Sequence, residues 1–371
     1  MAQLIPLNSD TAGKIRRFLR EDLRYWFSQP NKKPFLVQTR EAIEMWRAYR
    51  FFPYQYFKHD LYLSDVGPEY LNYIPSIVAD QCVTDVNPAE CEDWTEDKIA
   101  FEARMKSAEI PIVPTLATLK IEESELRAFD LQGRPLALLD MFALFKNSLL
   151  DCVFIKPRFG GQGIGAHRLD IGEANFVKNG KPIELDALRP LLEASGFREF
   201  LVQPFFSQHE ILEQLNPSSI NTLRVVTLLT GGEFEVIGSM LRVGSGSADT
   251  DNWSGGGFVV NVDLHTGAVA PVAKVKLSYS PQRRAIRHPI SKLEFGSIRV
   301  PYTDEVLSMV HRAAKSLAPI RLVGWDIAIG KDGPCVIEAN FLGGFLPLQD
   351  ACGGLRHTGY GRELASRFNW R

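Results

Sequence analysis

The segment that most constrains this chain is Gly324-Trp325-Asp326-Ile327-Ala328-Ile329, then Gly330-Lys331-Asp332-Gly333, then Pro334-Cys335-Val336-Ile337-Glu338-Ala339-Asn340. Two apolar runs around glycine-bounded punctuation read as a β-hairpin. With 330–334 as the loop, residues i and 664 − i face each other, which sets Asp326 opposite Glu338. Side chains alternate along a strand, so Asn340 falls on the same face as Glu338. Two carboxylates opposed on a largely apolar sheet repel unless a cation lies between them, and hard oxygen donors suit Mg²⁺. The plainer alternative is a surface hairpin with one acid in solvent. Phe341-Leu342-Gly343-Gly344 follows at once, a loop where backbone can approach a ligand.

A second segment runs Val153-Phe154-Ile155-Lys156-Pro157-Arg158, then Gly160-Gly161-Gln162-Gly163-Ile164-Gly165. A lysine at the end of an apolar strand, followed by a glycine loop, can neutralise phosphate oxygens while backbone N–H groups cradle them. A flexible hairpin turn is the alternative. No Gly-Lys-Ser/Thr closes the loop and no βαβ unit surrounds it, so it is neither a P-loop nor a dinucleotide fingerprint. Third, Phe200-Leu201-Val202-Gln203-Pro204-Phe205-Phe206 leads into Ser207-Gln208-His209-Glu210. A proline-stiffened strand exit of this kind can read an adenine edge, with a carboxylate nearby for ribose; an ordinary strand exit fits as well.

The rest of the chain narrows the class. Its 371 residues carry 42 Lys+Arg against 44 Asp+Glu, a net −2, so no overall basic excess points to nucleic acid or an anionic membrane. No run of about 18 apolar residues predicts a membrane span, and the first residues lack an export-signal pattern. The five cysteines form no CxxC and read as free thiols of a reducing cytoplasm. Residues 1–95 are rich in aromatics, among them Phe18, Trp26, Phe27, Trp46 and Phe52, and Ile15, Phe18, Leu19 and Leu23 recur at helical spacing. This predicts a helical lobe whose aromatics pack a core, with membrane or carbohydrate contact as the minority reading. Beyond it, strands are predicted at 112–117, 152–158, 200–206, 222–230, 234–243, 257–263, 322–329 and 334–340. Helices are predicted from a Thr95 cap to Ala108, and at 121–129, 135–148, 186–195 and 302–317. This is α+β with antiparallel sheets.

In order and content, Lys98, the Ala108–Thr115 stretch, Lys156 with its glycine loop, Gln203 to Glu210, and Asp326…Glu338-x-Asn340 resemble the ATP-grasp superfamily, over about residues 95–350. Asn216-Pro217-Ser218-Ser219-Ile220-Asn221-Thr222-Leu223-Arg224 is similar to the sugar-transfer-associated ATP-grasp group in particular, as is Asp251-Asn252 with its glycine run. The resemblance implies two α+β lobes clamping ATP between antiparallel sheets, spanning 96–205 and 206–371, behind a helical lobe at 1–95. It implies that Lys98 and Lys156 contact phosphates or adenine and that Gly160, Gly161, Gln162, Gly163 and the following residues to Gly165 form a flap. Gln203 and the backbone of Phe205 would line the adenine pocket, Glu210 or else His209 would hold ribose, and Asp326, Glu338 and Asn340 would bind one or two Mg²⁺ ions, or Mn²⁺. In relatives such as D-alanine–D-alanine ligase an arginine two residues before the aspartate steadies the developing oxyanion. Here that position is Gly324, and Arg224 or Arg242 is the expected substitute, with a sheet-edge ion pair as the alternative for each.

The implied activity is ADP-forming carboxylate–amine ligation through an acyl phosphate, on small-molecule carboxylate and amine substrates. Alternatives are a kinase using His209 or His288 as base, or a nucleotide-binding regulatory protein. Arg283-Arg284-Ala285-Ile286-Arg287-His288 reads as a solvated basic loop, with contact to an anionic substrate as the alternative, Asn252 as part of a substrate loop or a plain connection, and Gln349 and Asp350 as candidates to face an acceptor pocket.

Overall fold

The structure is a computed structural model. It describes residues 18–370 apart from 124, 162, 174, 179, 247–250, 252 and 281; Ile15, Gln162 and Asn252 therefore lie outside the described residues.

Phe35–Tyr49 (α1) follows Pro34 and ends where Arg50 turns left-handed at φ 53°. It dominates a set of short helices that fill the chain up to Glu96. Its inner face buries Met45, Ala48 and Tyr49, but Phe27, Trp46 and Phe52 are 71%, 54% and 60% exposed. The expectation that the aromatics of this region pack a core thus fails for these three. Lys98–Ser107 (α2) is capped by Asp97, whose carboxylate accepts from the Ile99 amide at 3.0 Å. Thr95, the predicted cap, sits inside the preceding short helix Asp93–Glu96.

Ala117–Glu122 (β1) turns Ala117, Leu119 and Ile121 inward and Thr118 and Lys120 outward, the period of a half-buried strand. It pairs with Glu125–Phe129 (β2), so the helix predicted at 121–129 is instead a hairpin. Glutamate and leucine favour helix locally, but pairing of β1 with a core strand overrides that preference. The strand predicted at 112–117 starts only at Ala117. Pro135–Leu136 (β3), Cys152–Pro157 (β4), His167–Ile171 (β5), Phe176–Lys178 (β6), Lys181–Ile183 (β7) and Glu199–Pro204 (β8) complete an eight-stranded sheet, β3-β2-β1-β8-β4-β5-β6-β7. One face packs Val153, Ile155, Phe200 and Val202 against Leu138–Asn147 (α3) and Leu188–Glu193 (α4). The alternate residues Phe154, Lys156 and Gln203 therefore face the other way.

After Glu210–Leu215 (α5) comes the second sheet: Leu223–Thr230 (β9), Glu233–Val243 (β10), Phe258–Asn261 (β11), Ala273–Val275 (β12), Arg284–Ala285 (β13), Leu322–Gly330 (β14) and Gly333–Asn340 (β15), ordered β13-β12-β11-β10-β9-β14-β15. Every residue of β14 is buried. On one face Val323, Trp325, Ile327 and Ile329 pack with Val306, Met309, Val310 and Ala313 of Thr303–Ser316 (α6). On the other, Leu322 with Val226, Leu228 and Met240 packs under the N-terminal helices, Phe345–Cys352 (α7) and Gly359–Phe368 (α8). Gly324 and Asp326 continue this second face, where it turns from apolar to charged.

The β14–β15 turn is two residues long, Lys331 and Asp332, shorter than the expected loop. A bulge at Ile337 inserts the missing residue, and Asp326 still pairs with Glu338 and Gly324 with Asn340.

Candidate active site

Lys156 ends β4 and points between the sheets, 7% exposed. Across from it stand Asp326 and Glu338. They border a cleft that is open to solvent on one side. Lys98, Gly160, Gly161 and Gly163, Gln203 and Phe205, and Arg242, Thr222 and Asp251 also line it. Most of the residues singled out from sequence thus meet in one place. Arg224 and Asn340 are not in the lining but contact Asp326 from behind it. His209 and Glu210 lie away from the cleft: the His209 ring caps α5 by accepting from the Ile211 amide at 3.3 Å, and Glu210 is exposed on the first turn.

The glycine loop is tied down at its base. Arg158 donates to Asp97 at 2.9 and 2.5 Å and to Glu199 at 2.9 Å, joining the loop to the cap of α2. Lys98 Nζ donates to the Gly160 carbonyl at 2.6 Å. Gly160 has φ +89° and a Cβ there would lie 2.9 Å from the Phe197 ring; Gly165 has φ +74° and a Cβ would lie 2.7 Å from Ser195 Cβ. Only glycine meets both demands. On the adenine side as read from sequence, Gln203 Nε2 donates to the Val113 carbonyl at 3.0 Å, and Arg168 lies over the Phe205 ring at 4.3 Å.

Asp326 is the hub of the opposite wall. Arg224, its cross-strand partner, holds both oxygens, Nε at 2.5 Å and Nη2 at 2.9 Å. Arg242 Nη1 lies 3.3 Å away, and Asn340 Nδ2 donates at 3.2 Å. A Cβ on Gly324 would lie 3.2 Å from Arg224 Nη1. The Arg224 guanidinium therefore covers the space that a side chain at position 324 would take. Arg242 is also held by Asp251 at 3.0 Å, and Asp251 accepts from the Thr222 amide at 2.8 Å and its hydroxyl at 2.5 Å. Sequence reasoning missed Asp251 and Thr222 as a unit; they are far apart in the chain, and only the strand pairing brings them together.

Burial alone would raise the Asp326 pKa, but Arg224 and then Arg242 overcome it and hold the carboxyl well below the usual range. Glu338 goes the other way: burial first, then the neighbouring Asp326 charge, push its carboxyl up. Burial pulls the Lys156 ammonium down to about 8 against the opposing pull of Glu338. Raising pH through that value discharges Lys156. An anionic phosphate favours the charged form, so nucleotide affinity falls with pH above about 8, by at most about tenfold per unit. Dissociation constants of a non-hydrolysable ATP analogue at about pH 7.5 and about pH 9.5 check this: wild type weakens, whereas Lys156→Arg stays flat. An equally flat wild type would remove Lys156 from the site.

Asp326, Glu338 and Asn340, the expected Mg²⁺ set, lie together on the β14–β15 hairpin. The donors are two carboxylates and an amide, all able to offer hard oxygens, and the Glu338 carboxylate has no arginine or lysine paired with it among the described residues, whereas Asp326 has two arginines. A divalent cation bound to Asp326 would have to displace Arg224 from one of the two oxygens it holds. Among the described residues no group of three or more His, Cys, Asp or Glu is placed to hold a metal ion, here or elsewhere.

The remaining candidates lie elsewhere. Arg283 is buried in ion pairs with Asp22 at 2.8 Å and Asp60 at 3.2 Å, not in a solvated loop. His288 is buried, with Nε2 2.9 Å from the Gly244 carbonyl. Gln349 bonds the Ile74 backbone, and Asp350 pairs with His59 at 2.8 Å, so both tie α7 to the N-terminal lobe rather than line the cleft.

Two antiparallel sheets facing across a lysine-, glycine- and carboxylate-lined cleft define the ATP-grasp class. The model of the family described as sugar-transfer-associated ATP-grasp matches residues 78–357, and the chain belongs to that family. No curated protein matches. Among solved structures, the chain is similar to D-alanyl-alanine synthetase A from Vibrio cholerae O1 biovar eltor (14% identity, TM-score 0.43, covering 76% of this chain and 66% of that one). It is also similar to the ATP-grasp ligase PsnB, solved with minimal precursor, Mg and ADP (15%, 0.39, 76% and 61%), and to VanG D-Ala:D-Ser ligase from Enterococcus faecalis (14%, 0.41, 75% and 62%). The chain thus spans less than two thirds of the length of these proteins. No helix among the described residues is long and apolar enough to cross a membrane.

Proposed function

We propose that the protein is an ATP-dependent, ADP-forming carboxylate–amine ligase. One observation carries the reading: Lys156 and the glycine loop face the Asp326–Glu338 pair across a single cleft, with two arginines behind the acids. Bound Mg²⁺, held by Asp326, Glu338 and Asn340, would screen the triphosphate. Lys98 and Lys156 neutralise phosphate oxygens, Gln203 and Phe205 bound the adenine, and the glycine loop keeps water off the reacting phosphate. A substrate carboxylate oxygen attacks the γ-phosphorus, the bond to the β-bridging oxygen breaks, and ADP leaves with that electron pair. An amine then attacks the acyl carbon, phosphate leaves with the C–O pair, and the amine gives up a proton. Arg242, which lines the cleft and is positioned by Asp251, is the group proposed to steady the oxyanion; Arg224, lying over Gly324, holds Asp326. The N-terminal helices that cover the apolar part of the same sheet face are the natural place for substrate selection.

The kinase alternative needs a base at the reacting phosphate, and neither His209 nor His288 lines the cleft. The test is ATP turnover with mixed carboxylates in the presence of hydroxylamine. Hydroxamate with stoichiometric ADP and phosphate is the expected outcome. A stable phosphorylated product without free phosphate would establish the kinase instead.

A further inference from the structure

The outer face of α1 is unusual for a packed lobe. At 100° per residue, Phe35, Trp46, Ile43 and Leu36 fall within one third of the helix circumference. They are 70%, 54%, 42% and 82% exposed. Arg40 and Arg47 flank them on one side and Arg50 caps the end of the helix, all exposed. No acid lies on this outward arc. Glu41 is turned inward to Lys33 at 3.0 Å and Tyr56, and Glu44 lies beside the arc, half-buried against Tyr70 and Arg40. None of these arginines or apolar side chains lines the ATP cleft.

The charge distribution points the same way. Residues 14–50 hold ten Lys/Arg and four Asp/Glu, a net +6, while the rest of the chain holds 32 and 40, a net −8. The near-zero total hides a basic N-terminal stretch on an otherwise acidic protein. A tryptophan, a phenylalanine and two aliphatics bordered by arginines and free of carboxylates form a surface that inserts at the headgroup–acyl boundary while its guanidinium groups remain at lipid phosphates. A protein partner would have to supply both a large apolar groove and a strip of acids, whereas an anionic bilayer supplies both everywhere.

We propose that α1 docks the protein peripherally on an anionic phospholipid surface, with Leu36, Ile43 and Trp46 inserted and Arg40, Arg47 and Arg50 on headgroup phosphates. The helix stays part of its lobe, because its inner face is buried there. Full-length protein is sedimented with vesicles of phosphatidylcholine alone, or with about one third phosphatidylglycerol, at low and at physiological salt. Binding to the anionic vesicles, weakened by salt, is expected. Ile43→Asp with Trp46→Asp should cut partitioning at least about tenfold. Reversing the three arginines to glutamate should cut it by about two orders of magnitude. Mass by light scattering and ATP turnover should remain unchanged in both variants. Equal partitioning to the two vesicle types, or none to either, would overturn the proposal. So would a wild-type dimer that the Ile43→Asp, Trp46→Asp variant splits, which would assign the face to a second copy of the chain.

Discussion

Glu338→Gln is expected to lower ATP turnover by at least about three orders of magnitude while leaving resistance to denaturant unchanged or slightly raised. Glu338 carries the clearest conflict in the site: burial and the adjacent Asp326 both oppose its ionisation. Glutamine keeps the shape, removes the like-charge repulsion and can donate to Asp326, so the fold loses nothing. The proposed chemistry loses a carboxylate ligand at the triphosphate. Initial rates of ADP release, paired with urea unfolding of the same preparation, check both halves. Near-native turnover would remove Glu338 from the site.

Asp326→Asn should also abolish turnover, but with a different stability signature. Asp326 is nearly inaccessible, held by Arg224 through two hydrogen bonds and approached by Arg242. Neutralising it leaves two guanidinium groups in the interior with one acid fewer between them. Breaking a buried pair in this way costs about 3–5 kcal/mol, visible as a lower urea midpoint. The effect has a pH counterpart. Because the folded-state carboxyl lies below its usual range, its stabilisation is present above the unfolded pKa and is lost as pH falls through the folded value. The wild-type advantage over the variant should therefore shrink in strong acid. An asparagine variant as stable as wild type at neutral pH would contradict the buried pairing.

The contrast between these variants reflects what the sequence could and could not convey. That Asp326 and Glu338 oppose each other was legible, because alternation along two apolar runs fixes a face. The path to that pairing was not: a two-residue turn and a bulge at Ile337 shift the register in opposite senses and cancel. The capture of Asp326 by Arg224 depends on β9 lying beside β14, a non-local choice that no local pattern encodes. Arg224 could be proposed only as a cation on a central strand; its place over Gly324 needed coordinates. The hairpin at 117–129 was hidden by residues that favour helix, and β5, β6 and β7 are too short to show a period. The outward aromatics of α1 were misread for a related reason: helical spacing is the same whether a stripe faces a core or solvent.

The most direct test of the central claim is a structure with a non-hydrolysable ATP analogue and Mg²⁺. The γ-phosphate should lie between Lys156 and the Asp326–Glu338 pair, with a cation on those carboxylates and the glycine loop folded over the phosphates. A nucleotide bound outside the inter-sheet cleft, or bound there with Asp326 still held by Arg224 and no cation on either carboxylate, would contradict the account.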